Sequence, residues 1–374
     1  MSALTSRMTG GMSALTSRMM GVFTPARLSA LMMYLASFLV ALALATALVM
    51  LTGYSMTDTA VALYQGSLGD GTSIGLTIDK ATPLLLVAVG AIISAKAGIF
   101  NIGQEGQLLV GAMVGAGVAL FMPGPGWLVM TLTLVGAALG GALWAGVPAV
   151  LYYWRGVDVV ISTLLMVFVG IQLAWFSVNR DYLLQETTEG GRVASPQSDL
   201  LPEHALLPRI GEYPGIAVSS GVIIVLVLTL LAAVMLRYST WGFRLRMLGH
   251  NPVAARRAGV RAAVLGSGAL LLSGGAAGLA GGVMLSEAYR FQPGVSDNMG
   301  WDGLLVALVA RNHPLVAIPV ALFFGALRAG GGFLASTGVP RYLVSVVTAL
   351  LVLAAVFPSA YAEIRKRRRP RSPR

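Results

Sequence analysis

Residues 241–260 read WGFRLRMLGHNPVAARRAGV, and this stretch decides how the rest of the chain is to be understood. It lies between two long apolar runs and carries Arg244, Arg246, Arg256 and Arg257, with Arg237 and Arg261 just outside and no acid. Asn251-Pro252 is a helix-start signal, Asn as N-cap and Pro in the first turn. Val253 to Ala258 favours helix, and Gly259 is a suitable stop. Such a helix is only about 10 Å long, too short to cross a bilayer and too short to be stable alone in water. A short helix between two spans is most useful as a docking element, with Ala254 and Ala255 forming a small face.

Outward from this loop the chain is apolar. Of its 374 residues 56% are hydrophobic and 11% charged, with a mean hydropathy of +0.78. Soluble domains carry roughly 25% charged residues. The expected fold class is therefore an all-α integral membrane protein of about ten transmembrane segments, some short or broken, with inverted repeats. The net charge of +11 does not call for nucleic acid: seven of the 26 basic residues lie in the tail from Arg365 to Arg374 and six more lie between 237 and 261. Both clusters flank apolar runs, as the positive-inside rule expects. With no Cys and only His204, His250 and His313, a disulfide framework or a metal site is not expected.

Three regions are expected: a disordered cytoplasmic tail over 1–28, in which MSALTSRM occurs at 1 and again at 12, a transmembrane domain over 29–360 containing the loop 237–262, and a basic cytoplasmic tail over 361–374. Apolar segments fall at about 29–52, 81–98, 106–122, 127–152, 157–178, 216–236 and 263–285. The Gly- and Pro-interrupted run 300–360 adds three more, one broken at Asn312-His313-Pro314. Residues 53–79 contain Asp58, Asp70 and Asp79 and no base, so they are expected to form an external loop, as are 179–215. An even number of segments places both termini in the cytoplasm.

Two interrupted places resemble each other. Gly103-Gln104-Glu105-Gly106 and Gly300-Trp301-Asp302-Gly303 share the pattern G-x-acid-G before an apolar run. Corresponding Gly-interrupted segments of opposite direction mark inverted repeats with a substrate path between them. Asn101, Gln104, Glu105, Gln107, Asp302 and Asn312 are accordingly candidates for a translocation path or for broken-helix ends. A carboxylate at membrane depth faces a cavity or a partner, and Glu105 admits both a pore-lining role and a helix-capping one, the latter being the simpler. Asp302 is expected to form an ion pair or interface anchor, and Asp158 a salt bridge with Arg155. No G-x-x-x-x-G-K-[ST] and no H-E-x-x-H is present.

The phrases AGIFNIGQEGQLLVGA (97–112), RMLGHNPVAARRAGV (246–260), LLSGGAAGLAGGV (271–283) and GWDGLLVALVARNHPLVAIPVALFFGAL (300–327) occur in order. Together they resemble the permease subunits of bacterial nucleoside and simple-sugar ABC importers, within the branched-chain amino acid and ribose permease family. The resemblance runs from about 80 to 357. It implies a multi-pass subunit of the bacterial inner membrane that is not an enzyme and holds no cofactor. ATP and Mg would be bound by a cytoplasmic ABC ATPase. The other implied partners are a second permease or a second copy of itself, an extracytoplasmic substrate-binding lipoprotein and membrane lipid. The ATPase contact would fall on Arg246, Asn251, Ala254, Ala255, Arg256 and Gly259. The residues alone leave open a second class, an ion-coupled secondary transporter using Glu105 and Asp302 as proton carriers.

Overall fold

The computed structural model describes residues 25–336 except 52 and 189–192, together with isolated residues between 346 and 361. Of the tails expected over 1–28 and 361–374, residues 1–24 and 362–374 lie outside the described residues, as does most of the last expected span, while 25–28 are not disordered but begin a helix. By packing, the chain divides into two units, residues 1–59 with 338–374, and residues 60–337. In the first, α1 (Pro25–Leu51) buries Ala41, Ala45 and Val49 at four-residue spacing and exposes Leu35, Leu39, Val40 and Met50.

The second unit is an all-α bundle. After α2 (Met56–Leu68) come α3 (Gly71–Lys96), α4 (Gln104–Phe121), α5 (Gly126–Arg155) and α6 (Val159–Val178). Then follow a largely irregular insert with the short hairpin β1 (Arg209–Ile210) and β2 (Val218–Ser219), and α7 (Gly221–Tyr238), α8 (Thr240–His250), α9 (Pro252–Arg257), α10 (Ala262–Ala288), α11 (Met299–Val309) and α12 (Pro314–Ser336). Among the described residues seven helices are long and apolar enough to cross a membrane, and Leu35–Leu51 and Met299–Val309 are shorter apolar pieces.

Helices α3, α4 and α10 form the interior. Every residue from Ala81 to Ser94 of α3 is buried, which is what a helix apolar on all sides requires. Helices α5, α6 and α7 are buried along one narrow stripe, and they turn Ile161, Leu165, Phe168, Ile223, Leu226 and Leu230 outward. Such faces suit lipid, where only helices and closed barrels satisfy their own backbone groups.

Small residues let the interior helices approach. A Cβ placed on Gly278 of α10 would overlap the Ala137 carbonyl of α5, and one on Gly111 of α4 would overlap the Gly278 backbone. Gly274 stands in the same way against Gly141 and Ala145. Lipid gives helices no hydrophobic drive to associate, so close van der Waals contact along small-residue seams takes that role.

The expected external loop 53–79 is not a loop. It forms α2 and the first turns of α3, and Asp79 is buried within α3. Asp79 Oδ2 receives Arg209 Nη2 at 2.7 Å and Oδ1 receives the Ser219 N–H at 2.7 Å. A carboxylate that reads as polar loop is thus the anchor of the β1–β2 hairpin. The true helix start is Asp70, whose Oδ1 accepts the Ser73 N–H at 2.7 Å; the Ser73 backbone bond, then its hydroxyl, hold the Asp70 carboxyl below the usual carboxylate range. Asp158 is likewise an N-cap, accepting from Val160 and Ile161 of α6, and among the described residues it makes no ion pair with Arg155.

The glycine seam yields a prediction. Gly278→Val forces α10 away from α4 and α5 and costs about 1–3 kcal/mol or more. Gly268→Val meets open space on the same helix and leaves stability within about 0.5 kcal/mol. Thermal unfolding of the two purified variants in detergent checks this; equal midpoints would show that the seam carries no packing energy.

Candidate translocation and coupling sites

The chain leaves α3 at Lys96, turns at Gly98 (φ +77°) and runs without helix to Gly103 before α4 begins. The amides of this break are paired with one another. Asn101 Nδ2 donates to Gln107 Oε1 at 2.8 Å and to Ser273 Oγ of α10 at 3.0 Å, while Asn101 Oδ1 accepts from Gln107 Nε2 and from the Gly103 N–H. Gln104 Nε2 donates to the Val87 carbonyl at 3.1 Å and to Ser273 Oγ at 3.2 Å. Its Oε1 is buried without a partner. The Ile102 N–H reaches Thr163 Oγ1 of α6. Each bond replaces water for a backbone or amide group that would otherwise be stranded in a low-dielectric interior.

Glu105 caps a helix, but not its own. Its Oε2 accepts the Gly300 N–H of α11 at 2.8 Å. Gly300 lies so close that a Cβ there would meet the Glu105 backbone. The two G-x-acid-G motifs therefore touch. They open helices of opposite direction: α4 starts just after Lys96 and runs away from that end of the bundle. Helix α11 runs towards it, since Asn312 and Pro314, which follow, share a cavity with Lys96. Two helix N-termini, each with free N–H groups and partial positive charge, thus start side by side within the bundle.

Asp302 turns instead to α12. Its Oδ2 receives Arg328 Nε at 3.0 Å and Nη2 at 2.8 Å, while Arg328 Nη1 binds Asp297 Oδ2 at 2.8 Å and Nη2 its carbonyl. Asp297 and Asn298, which lead into α11, both have positive φ, and the Arg328 bonds hold that turn. Of the sequence candidates, the fold brings Asn101, Gln104, Glu105 and Gln107 together, sets Asp302 in the first turn of the helix that Glu105 caps, and leaves Asn312 apart in the cavity at the Lys96 end. Sequence reading missed Ser273, Arg328 and Asp79. Arg328 carried a usable signal, being a lone cation inside the apolar run LFFGALRAGGG.

At the opposite end, three ion pairs tie the polar insert and the helix ends together: Arg209–Asp79, Lys80–Glu287 at 2.8 Å and Arg290–Glu186 at 3.1 Å. Backbone bonds from Ser198 and Leu201 to Phe291 and Tyr289 add to them.

The loop between α7 and α10 forms α8 and α9. Asn251 Oδ1 accepts from Val253 and Ala254, Pro252 occupies the first turn, and Gly259 adopts φ +81° after the helix. Pro252, Val253, Ala254, Arg256 and Arg257 are exposed, while Ala255 is fully buried against Leu248, Val260, Met247 and Leu265. The small face expected at 254 and 255 is split: Ala254 faces out and Ala255 holds the helix to the bundle. Arg246 lies apart from the α9 surface and lines the cavity with Lys96.

A buried bundle with two half-helices meeting at their N-termini, and a short helix displayed between spans, defines a polytopic membrane transport protein. The chain belongs to the family of permease components of the branched-chain amino acid transport system, whose sequence model matches residues 73–356. It is 30% identical over 332 residues to the guanosine ABC transporter permease protein NupP of Bacillus subtilis, covering 87% of this chain and 93% of that one. It is 32% identical over 294 residues to the glucose ABC transporter permease protein TsgB13 of Haloferax volcanii, covering 75% and 76%. It is 28% identical over 298 residues to the nucleoside ABC transporter permease protein NupB of Lactococcus lactis, covering 78% and 80%. No solved structure matches the chain at a significant level.

The Asp302–Arg328 pair is testable as a unit. Arg328→Met leaves the Asp302 carboxylate uncompensated in a largely buried site and should cost about 3–5 kcal/mol, whereas the double variant Arg328→Met/Asp302→Asn should recover part of that loss. Thermal midpoints of the single and double variants measure it; additive losses would show that the two residues act separately.

Proposed function

We propose that the protein is the membrane permease subunit of an ATP-driven ABC importer whose cargo is a nucleoside, with simple sugars as the neighbouring class. The family and the relatives named for guanosine, nucleoside and glucose transport support this reading. The structural observation that carries it is α9, a capped helix of six residues whose exposed face lies between spans and is pinned to the bundle only through Ala255. Such an element offers a cytoplasmic ATPase something to grip, and the sequence has no phosphate-binding loop of its own. ATP and Mg then belong to the ATPase, and this chain carries no cofactor and performs no hydrolysis. A second permease or a second copy would complete the path, and an extracytoplasmic binding protein would deliver the cargo.

In this reading the α8–α9 side is cytoplasmic in a bacterial inner membrane, because residues 237–261 hold six bases and no acid. Asn251, Ala254 and Arg256 form the ATPase contact, Gly259 shapes its end, and Ala255 supports it from beneath. Glu105 is a structural cap whose Oε2 accepts the Gly300 N–H of α11, which favours a structural role over that of a proton carrier.

Uptake of labelled nucleosides and sugars decides between importer and ion-coupled carrier. With the ATPase and binding protein present, uptake follows internal ATP and persists when the proton gradient is collapsed. Glu105→Gln retains substantial ATP-driven uptake, since the amide oxygen still accepts the Gly300 N–H. Uptake driven by an imposed pH gradient without ATPase, and stopped by Glu105→Gln, would establish the ion-coupled reading instead.

The two alanines of α9 separate contact from support. Ala254→Trp lowers uptake at least tenfold while thermal stability stays within about 0.5 kcal/mol, because an exposed position changes only the docking surface. Ala255→Asp buries a charge without a partner, at a cost of several kcal/mol, and loosens the loop itself, visible as protease cleavage between 250 and 262. Normal uptake in Ala254→Trp would remove α9 as the coupling element.

A further inference from the structure

At the end of the bundle where α9 lies, a cavity of about 290 Å3 opens between the last turn of α3, the last turn of α7, helix α8 and the first turn of α12. That volume is at the lower end of the ~300–1,000 Å3 typical of small-ligand sites. Lys96, Arg237 and Arg246 line it together with Asn312 and His313, and no acid does. Among the described residues none of the three cations forms an ion pair, and Arg237 lies over the ring of its neighbour Tyr238.

Each cation has a local reason to be there. Lys96 and Arg237 close helices whose C-terminal ends favour positive charge. Their convergence is a product of the fold: Gly249 of α8 presses on the Lys96 carbonyl so closely that a Cβ would not fit, which brings Arg246 into electrostatic reach of Lys96. The fourth wall is the N-terminus of α12, positive as well. The result is a concave positive site with no acid in its lining among the described residues, and its chemistry suits an anion.

Three spans end at this level, so the cavity lies at headgroup depth. Its remaining wall is apolar, formed by Ala233, Leu236, Pro314 and Leu315, with Leu315 52% exposed. Basic pockets between span ends, with an apolar flank for the first methylenes, are the geometry that holds a lipid phosphate. We propose that this cavity binds the phosphate of one anionic phospholipid, Lys96 and Arg246 gripping the phosphate and Leu236 and Leu315 lining the glycerol end. The site would fix the junction of α3, α8 and α12 by neutralising its charge. It does not depend on what the protein transports or on its energy source.

The test is native mass spectrometry of the full-length protein in detergent, titrated with phosphatidylglycerol or phosphatidylcholine. Phosphatidylglycerol should be retained in preference to phosphatidylcholine, one molecule per chain. Lys96→Gln/Arg246→Gln should weaken that retention by about tenfold or more, and Ala233→Trp, which fills the cavity and keeps every charge, should do the same. Arg155→Gln removes an exposed cation that closes α5 outside the cavity and should change nothing. If the charge variant does not fold, Ala233→Trp carries the test alone. Equal retention of the two lipids, an equal loss in Arg155→Gln, or full retention in Ala233→Trp would overturn the proposal. Displacement of phosphatidylglycerol by inorganic phosphate would overturn the lipid assignment in favour of a free anion.

Discussion

A helix that begins inside a membrane bundle leaves N–H groups with no water to meet them, and this bundle begins two such helices side by side. The bond from the Gly300 N–H to Glu105 resolves part of that problem with a single carboxylate. Much else follows from it. Gly300 and Gly303 must be small, the first against Glu105 and the second against Val87 of α3. The turn before α11 must be held open by Arg328, and α12 must place Arg328 there. A carboxylate that would be costly alone at this depth is stabilised by the positive end of the helix it caps.

The amide cluster extends the same logic to α4. Asn101, Gln104 and Gln107 come from one turn and the helix it starts, yet they are satisfied through Ser273 of α10 and the Val87 carbonyl of α3. Polar pairing thereby registers the three interior helices against one another, while the glycine seams set how near they come. The only buried oxygen of this cluster without a partner is Gln104 Oε1.

Apolar composition and run length made the membrane class legible, and Asn251-Pro252 with Gly259 marked α9 because capping is local chemistry. The G-x-acid-G motifs were readable as related, since their pattern is written in four consecutive residues. What the sequence did not disclose is which partner each polar group meets. Asp79 reads as loop because its ion partner Arg209 is 130 positions away, and a carboxylate near the end of an apolar run looks the same paired or free. Asp158 reads as a partner for nearby Arg155, yet two N–H groups of its own helix lie nearer still. Ala255 reads like Ala254, because burial on a six-residue helix is decided by Leu248, Val260 and Leu265 from the flanking elements.

The packing of Ala255 against Val260 and Leu265 has a mechanical side. Leu265 belongs to the first turn of α10, and Ser273 lies about 12 Å further along the same helix at ~1.5 Å per residue. The displayed helix packs at the start of one stiff rod, and the amide cluster is bonded to the same rod at Ser273, roughly two-fifths of the way along it. A load placed on α9 is therefore borne by the helix that carries Ser273.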